Sequence, residues 1–65
     1  MSIGENIKLA RKAAGETQKE LADKIGAYQK DVSRWERDEL SPNIATFAKI
    51  CRELKVSADV ILELN

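Results

Sequence analysis

Five polar side chains are predicted to share one face of a short helix in the stretch "AYQKDVSRWER". They are Gln29, Lys30, Ser33, Arg34 and Arg37. Amide, ammonium and guanidinium groups are the donors that reach the base edges and phosphates of nucleic acids. This face therefore indicates either a surface that contacts DNA or the ordinary solvent-exposed side of a surface helix.

The opposite side of the same helix carries large apolar residues. At 100° per residue, Tyr28, Val32 and Trp35 fall within a narrow arc. We expect this arc to anchor the helix in the core, which would hold the polar face outward.

The segment before this helix predicts how it is positioned. Thr17 and Glu20 have the spacing of a capping box, which starts a second helix. Gly26 can end that helix in a left-handed turn. The joint is too short for anything but a sharp turn, so residues 17–36 are predicted to form a helix-turn-helix with its second helix over residues 28–37.

Helix signals elsewhere predict an all-α fold of five short helices in a single domain, residues 1–65. Ser2, Asn43 and Ser57 are the expected N-caps of the first, fourth and fifth helices, and Pro42 separates the third helix from the fourth. The side chains expected to be buried are Ile3, Ile7, Ala10 and Ala14 in the first helix, Leu21, Ala22 and Ile25 in the second, Ile44, Phe47, Ala48, Cys51 and Leu54 in the fourth, and Val60, Ile61 and Leu64 in the fifth.

The composition excludes several functional classes. The 65 residues contain no His and one Cys, which removes the usual Cys/His metal sites, His-assisted nucleophilic catalysis and an internal disulfide. We therefore expect a protein that is not an enzyme, with no metal, no cofactor and no small-molecule ligand. The lone Cys51 and the lack of a long apolar run predict a cytoplasmic protein that does not associate with membranes.

The charges are balanced overall but unevenly distributed. Eleven basic and eleven acidic residues cancel. Residues 1–37 hold eight basic and six acidic side chains, whereas residues 38–65 hold three basic and five acidic ones. This balance argues against a generic polyanion binder, although exposed charges act mainly within about 8 Å at physiological salt.

The segment "TQKELADKIGAYQKDVSRWER" closely resembles the helix-turn-helix of the Cro/phage-repressor-like (XRE-type) family of bacterial transcription regulators. The resemblance extends from "IGENIKLARKAAG" to "LKVSADVIL" and so covers nearly the whole chain. It implies a lambda-repressor-like DNA-binding domain that acts as a transcriptional regulator, expected to be a repressor, on double-stranded DNA.

The resemblance also implies a role for individual residues. Arg11 and Glu36 would form an ion pair that serves structure and not recognition. The residues expected to read bases are Gln29, Lys30, Ser33 and Arg34, and those expected to bind phosphates are Thr17, Gln18, Tyr28, Arg37 and Asn43.

Several positions depart from the family's pattern. Tyr28 stands where the family usually has a Ser or Thr N-cap, and its hydroxyl cannot reach back to cap the helix. Asp38 and Glu39 follow the recognition helix where the family commonly has Gly and then basic residues, and Glu16 replaces a usual Leu. The two carboxylates are expected to weaken non-specific affinity for DNA.

With few phosphate-binding cations per subunit, a homodimer on a palindromic operator is expected, with half-sites about one helical turn apart. Surplus apolar residues Leu40, Ile50 and Leu62 are the predicted dimer interface. The alternative is a protein-interaction module, such as an antitoxin, whose main partner is another protein. The acidic pair and the zero net charge favour that alternative.

Overall fold

The computed structural model describes residues 2–64, which form five α-helices and no strand. The helices are α1 (Ile3–Ala13), α2 (Gln18–Ile25), α3 (Gln29–Glu36), α4 (Ile44–Leu54) and α5 (Ala58–Leu62). The all-α, five-helix prediction is confirmed, and the third helix is one residue shorter at each end than predicted.

Side-chain caps begin four of the five helices, as the sequence predicts. Ser2, Thr17, Asn43 and Ser57 each accept a hydrogen bond from a backbone N–H in the first turn of the following helix. At Thr17 the reciprocal hydrogen bond is also present, from the Thr17 backbone N–H to the Glu20 carboxylate. Tyr28 begins α3 with no side-chain cap, as expected for a hydroxyl so far from the backbone. These caps fix where each helix starts, and therefore which residues face inward.

The helices surround one apolar core. α3 packs against α1 and α2, α2 also packs on α4, and α1 packs on α5. The buried apolar residues are Ile7, Leu21, Ala22, Ile25, Val32, Trp35, Ile50, Leu54 and Ile61. Every helix contributes to this cluster. Within it, α3 is held by its contacts with α1 and α2.

Three predicted core positions at helix ends are wrong. Tyr28 is 72% exposed because its extended backbone places it before the helix, where helical periodicity no longer applies. Ile44 is 89% exposed because it occupies the first turn of α4, beyond the helices that cover the later turns. Leu64 is exposed because α5 ends at Leu62 and Glu63 turns the chain left-handed.

In α4 the buried arc is rotated from the predicted one. Ile50 is fully buried, although it was assigned to the dimer interface. The inward face follows Phe47, Ile50, Cys51 and Leu54, a pattern with the three- and four-residue spacing of an apolar stripe. Including Ile44 had shifted the predicted stripe away from Ile50. The remaining misplaced residues, Ile3, Ala14 and Val60, are exposed.

Candidate nucleic-acid interface

The outward face of α3 is built by the burial of its inner face. Val32 is fully buried and Trp35 is 5% exposed, so the helix cannot rotate without exposing both. Gln29, Lys30 and Arg34 are exposed on the other side, and Ser33 is half-buried beside them. The predicted polar face therefore exists, with three long donor side chains directed to solvent.

Lys30 lies next to the aromatic ring that precedes the helix. Its ammonium nitrogen is 5.8 Å from the centroid of the Tyr28 ring, within the range of a cation–π contact. Because both side chains are exposed, this contact is weak. It places Tyr28 at the N-terminal end of the polar face and not under it.

All three guanidinium nitrogens of Arg37 donate a hydrogen bond within the chain. Its Nε donates to Glu39 Oε2 at 3.0 Å and its Nη2 donates to Glu39 Oε1 at 3.1 Å. Its Nη1 donates to the hydroxyl of Ser33. Glu39 raises the pKa of Arg37 through these hydrogen bonds and its charge. Ser33 and Arg37, which were both predicted to contact DNA, are thus hydrogen-bonded to each other. Arg37 is also bound to the carboxylate of Glu39.

The N-terminus of α2 is tied to α3 through Gln18. Its Nε2 donates to Glu36 Oε1 at 3.0 Å. An amide nitrogen carries two hydrogens, so the second remains available to an external acceptor such as a phosphate. Gln18 is therefore half-buried and oriented by protein, which differs from a freely solvated first-turn residue.

Arg11 and Glu36 form a buried ion pair beneath this contact. Arg11 Nε lies 2.6 Å from Glu36 Oε2, and Nη2 donates to Oε1 at 3.1 Å. The remaining guanidinium nitrogen donates to the backbone carbonyl of Glu16 at 2.7 Å. Neither side chain is accessible enough to reach DNA, because their exposed fractions are 9% and 3%.

Thr17 and Asn43 both act as helix caps. Thr17 Oγ1 accepts from Glu20 N and its backbone N–H donates to Glu20 Oε1, which lowers the pKa of that carboxyl. Asn43 Oδ1 accepts from Thr46 N. Asn43 keeps its amide N–H groups as donors that capping does not use, whereas the Thr17 hydroxyl is also hydrogen-bonded to the Glu20 carboxylate.

The surface residues assigned to a dimer interface do not form one patch. Leu62 lines an apolar surface pocket with Ile3 and Ile44, at the end of the molecule where α1, α4 and α5 meet. Leu40 lines a neighbouring pocket with Tyr28. Ile50 belongs to neither, because it is buried in the core.

Sequence reasoning missed the contact that joins the end of α3 to the start of α1. Asp38 adopts a left-handed conformation with φ of 60°, and its Oδ1 accepts from Gly4 N at 2.9 Å. A Cβ at Gly4 would lie 2.2 Å from the Trp35 carbonyl oxygen, so only glycine permits this approach. The available signal was a glycine inside a helix, which often marks close contact between backbones.

The described residues hold neither a metal-binding cluster of side chains nor a membrane-spanning helix. Within residues 2–64, no group of three or more His, Cys, Asp or Glu side chains is arranged to hold a metal ion. The longest helices there have 11 residues, and none is long and apolar enough to cross a bilayer.

The sequence matches a known protein family and is similar to two known proteins. Residues 7–61 match the protein family described as helix-turn-helix. The chain is 40% identical over 62 residues to the HTH-type transcriptional regulator ImmR of Bacillus subtilis (strain 168), covering 95% of this chain and 49% of that protein. It is 41% identical over 51 residues to the antitoxin HipB of Escherichia coli (strain K12), covering 78% of this chain and 58% of HipB. The chain thus spans about half the length of these relatives.

A solved structure agrees with the whole fold. The P22 c2 repressor protein, crystallised in complex with the synthetic operator 9T in the presence of Tl+, superposes with a TM-score of 0.92 at 29% sequence identity. The match covers 100% of this chain and 98% of that one. The five-helix arrangement is therefore that of a repressor DNA-binding domain.

Proposed function

Because the chain belongs to the helix-turn-helix family, we propose that it binds a specific sequence of double-stranded DNA as a transcriptional regulator. The observation that carries this proposal is the two-sided α3, whose inner Val32 and Trp35 are buried while Gln29, Lys30 and Arg34 extend outward. An α-helix fits the major groove of B-DNA, where these donors can discriminate between base pairs. The relative ImmR is named a transcriptional regulator, and the P22 repressor is seen on an operator.

The surroundings of α3 are suited to fixing its register on DNA. Gln18 retains one amide hydrogen at the N-terminal end of α2, where unpaired N–H groups and the helix dipole favour a phosphate. Tyr28 and Asn43 would offer further donors, Thr17 would offer its hydroxyl once released from Glu20, and Arg37 would add a cation once released from Glu39. Phosphate contacts of this kind orient a protein without reading sequence.

We propose that the regulator is a repressor that works as a homodimer on a palindromic site. One subunit supplies few phosphate-binding cations, so two linked subunits are needed for useful affinity. The pocket formed by Ile3, Ile44 and Leu62 supports pairing, because it gathers exposed apolar side chains away from α3. This pocket replaces Ile50 in the proposed interface, and Leu40 lies beside it.

The function is tested by selection from a library of random DNA duplexes. At about 0.1 M salt the folded protein should enrich a two-fold symmetric sequence with half-sites about 10 base pairs apart. Recovery of no preferred sequence by a folded sample would contradict the proposal. The variant Arg34→Ala serves as a matched control, since it should lose preference at one position of each half-site.

The likeness to HipB favours a second candidate, an antitoxin-like module whose main partner is a protein. The two candidates differ in what the polar face of α3 does. If a protein partner is the main ligand, Arg34→Ala would leave the DNA sequence preference unchanged. In either case we propose a binding role with no catalytic step, exercised in the cytoplasm.

A further inference from the structure

The residue after α3 presents its guanidinium to a carboxylate two positions later. Arg37 and Glu39 meet through two parallel hydrogen bonds, Nε to Oε2 at 3.0 Å and Nη2 to Oε1 at 3.1 Å. Both side chains are exposed to about the same extent, 56% and 54%, so the pair is open to solvent and to ligands. Phosphate binds arginine through the same two-pronged geometry.

Of the two acidic residues in this segment, only Glu39 faces Arg37. Asp38 is turned toward α1 and accepts from the backbone N–H of Gly4 at 2.9 Å. The last guanidinium nitrogen of Arg37 donates to Ser33, which directs the arginine along the polar face of α3. The carboxylate of Glu39 therefore occupies the edge of the guanidinium that a ligand would need.

The charges hold this arrangement in place around neutral pH. Hydrogen bonding and charge from Arg37 lower the pKa of Glu39, and Arg34 attracts the same carboxylate more weakly. The pKa of Arg37 is raised in turn. Both groups are thus ionised under the conditions in which DNA would be bound.

We propose that Glu39 acts as an internal competitor for phosphate, holding Arg37 until the DNA backbone displaces it. This inference rests on the proposed DNA-binding function and adds a residue that reduces affinity. Because a phosphate contact carries no sequence information, Glu39 lowers binding to DNA of any sequence. The side chains of Gln29, Lys30 and Arg34 make no hydrogen bond to Glu39, and Arg34 is attracted to it only weakly, so the base-reading part of the interface is little affected.

The test uses the whole chain and a random-sequence 30-base-pair duplex as probe, with binding measured between 50 and 200 mM salt. Glu39→Gln should bind about two- to fivefold more tightly per subunit, the range expected from releasing one exposed ion pair. Its plot of log affinity against log salt should keep the slope of the parent protein, because Arg37 neutralises the same phosphate in both complexes once Glu39 has been displaced. Glu53→Gln in α4 makes the same change in net charge at a distance from α3 and should bind like the parent protein.

A double-mutant comparison separates this mechanism from simple removal of a negative charge. In an Arg37→Ala background, Glu39→Gln should have little effect, because the guanidinium that Glu39 holds by hydrogen bonds is absent and Arg34 is attracted only weakly. If the gain persists without Arg37, or if Glu39→Gln leaves the affinity unchanged, the internal competitor is ruled out while DNA binding stands. If the parent protein itself fails to bind the duplex at 50 mM salt, the proposed function and this inference fail together.

Discussion

Arg11 on α1 and Glu36 at the end of α3 form a buried ion pair, with Nε 2.6 Å from Oε2 and only 9% and 3% of the side chains exposed. The pair joins α1 to α3. The carboxylate also accepts from Gln18 on α2, so one pair orients three helices. Its charges are shielded from solvent, which makes the loss of either partner much more damaging than the loss of a surface pair.

We expect Arg11→Met or Glu36→Leu alone to lower the free energy of unfolding by about 3–5 kcal/mol, because each leaves the other charge buried and unpaired. A chain of this size has about 3–10 kcal/mol in total, so either variant should be partly unfolded at room temperature. The double variant should recover much of the loss. Urea unfolding followed by the fluorescence of Trp35, the only tryptophan, measures this. A loss below about 1 kcal/mol in both single variants would show that the pair behaves like a surface pair.

A second prediction concerns the approach of α1 to the end of α3. In Gly4→Ala the new Cβ would lie 2.2 Å from the Trp35 carbonyl oxygen, which is backbone and cannot move aside cheaply. We expect a loss of about 1–3 kcal/mol, although alanine is the better helix former. Thermal unfolding compared with Lys8→Ala, an exposed change one turn later in α1, isolates the clash. Equal stability of the two variants would mean that the helices separate without cost.

The capping box of α2 predicts how the stability of the protein depends on pH. The pKa of Glu20 is lowered by hydrogen bonds from the Thr17 backbone N–H and hydroxyl, so the ionised carboxylate stabilises the folded state. That contribution is fully present above the unfolded pKa of about 4.3 and is lost as the pH falls through the lower folded value. The stability difference between the parent protein and Glu20→Gln should therefore shrink from about pH 6 to about pH 3. A difference that stays constant over this range would contradict the assignment.

A fourth prediction addresses the proposed dimer. Ile44 is 89% exposed and lines a pocket with Ile3 and Leu62. If a second copy covers it, Ile44→Glu should weaken dimer association about ten- to a hundredfold, since burying one such side chain is worth about 1.5–3 kcal/mol. Sedimentation measures the dimer, and an unchanged melting temperature shows that the fold is intact. Leu9→Glu, at an exposed leucine of α1 outside the pocket, is the control, and equal effects of the two changes would remove this pocket from the interface.

The sequence predicted those parts of the fold that depend on local chemistry. Ser2, Thr17, Asn43 and Ser57 were recognised as caps because a side-chain oxygen beside a helix start has one obvious partner. Val32 and Trp35 were placed correctly because they lie in the middle of α3, where the helical period holds.

The wrong predictions concern residues whose burial or contacts depend on distant parts of the chain. Tyr28 and Ile44 sit at the first residues of helices, and their burial depends on whether another element covers that end. Ile50 was predicted to lie in the dimer interface. Its burial depends on the packing of α4 against α2, which the local sequence of α4 does not reveal. The Asp38–Gly4 contact joins positions 34 residues apart, and no spacing rule could pair them.

We propose that the outward face of α3 reads base pairs. The most direct test is the affinity of Arg34→Ala for the selected site and for its single-base variants. The Arg34 side chain is exposed and makes no hydrogen bond within residues 2–64, and the carbonyl that accepts from Glu39 N is backbone, so truncation to alanine should leave the fold unchanged. We predict that discrimination at one position of each half-site falls by about 1–3 kcal/mol while the other positions keep their preference. Unchanged discrimination at every position in a folded variant, repeated for Gln29→Ala and Lys30→Ala, would contradict the account.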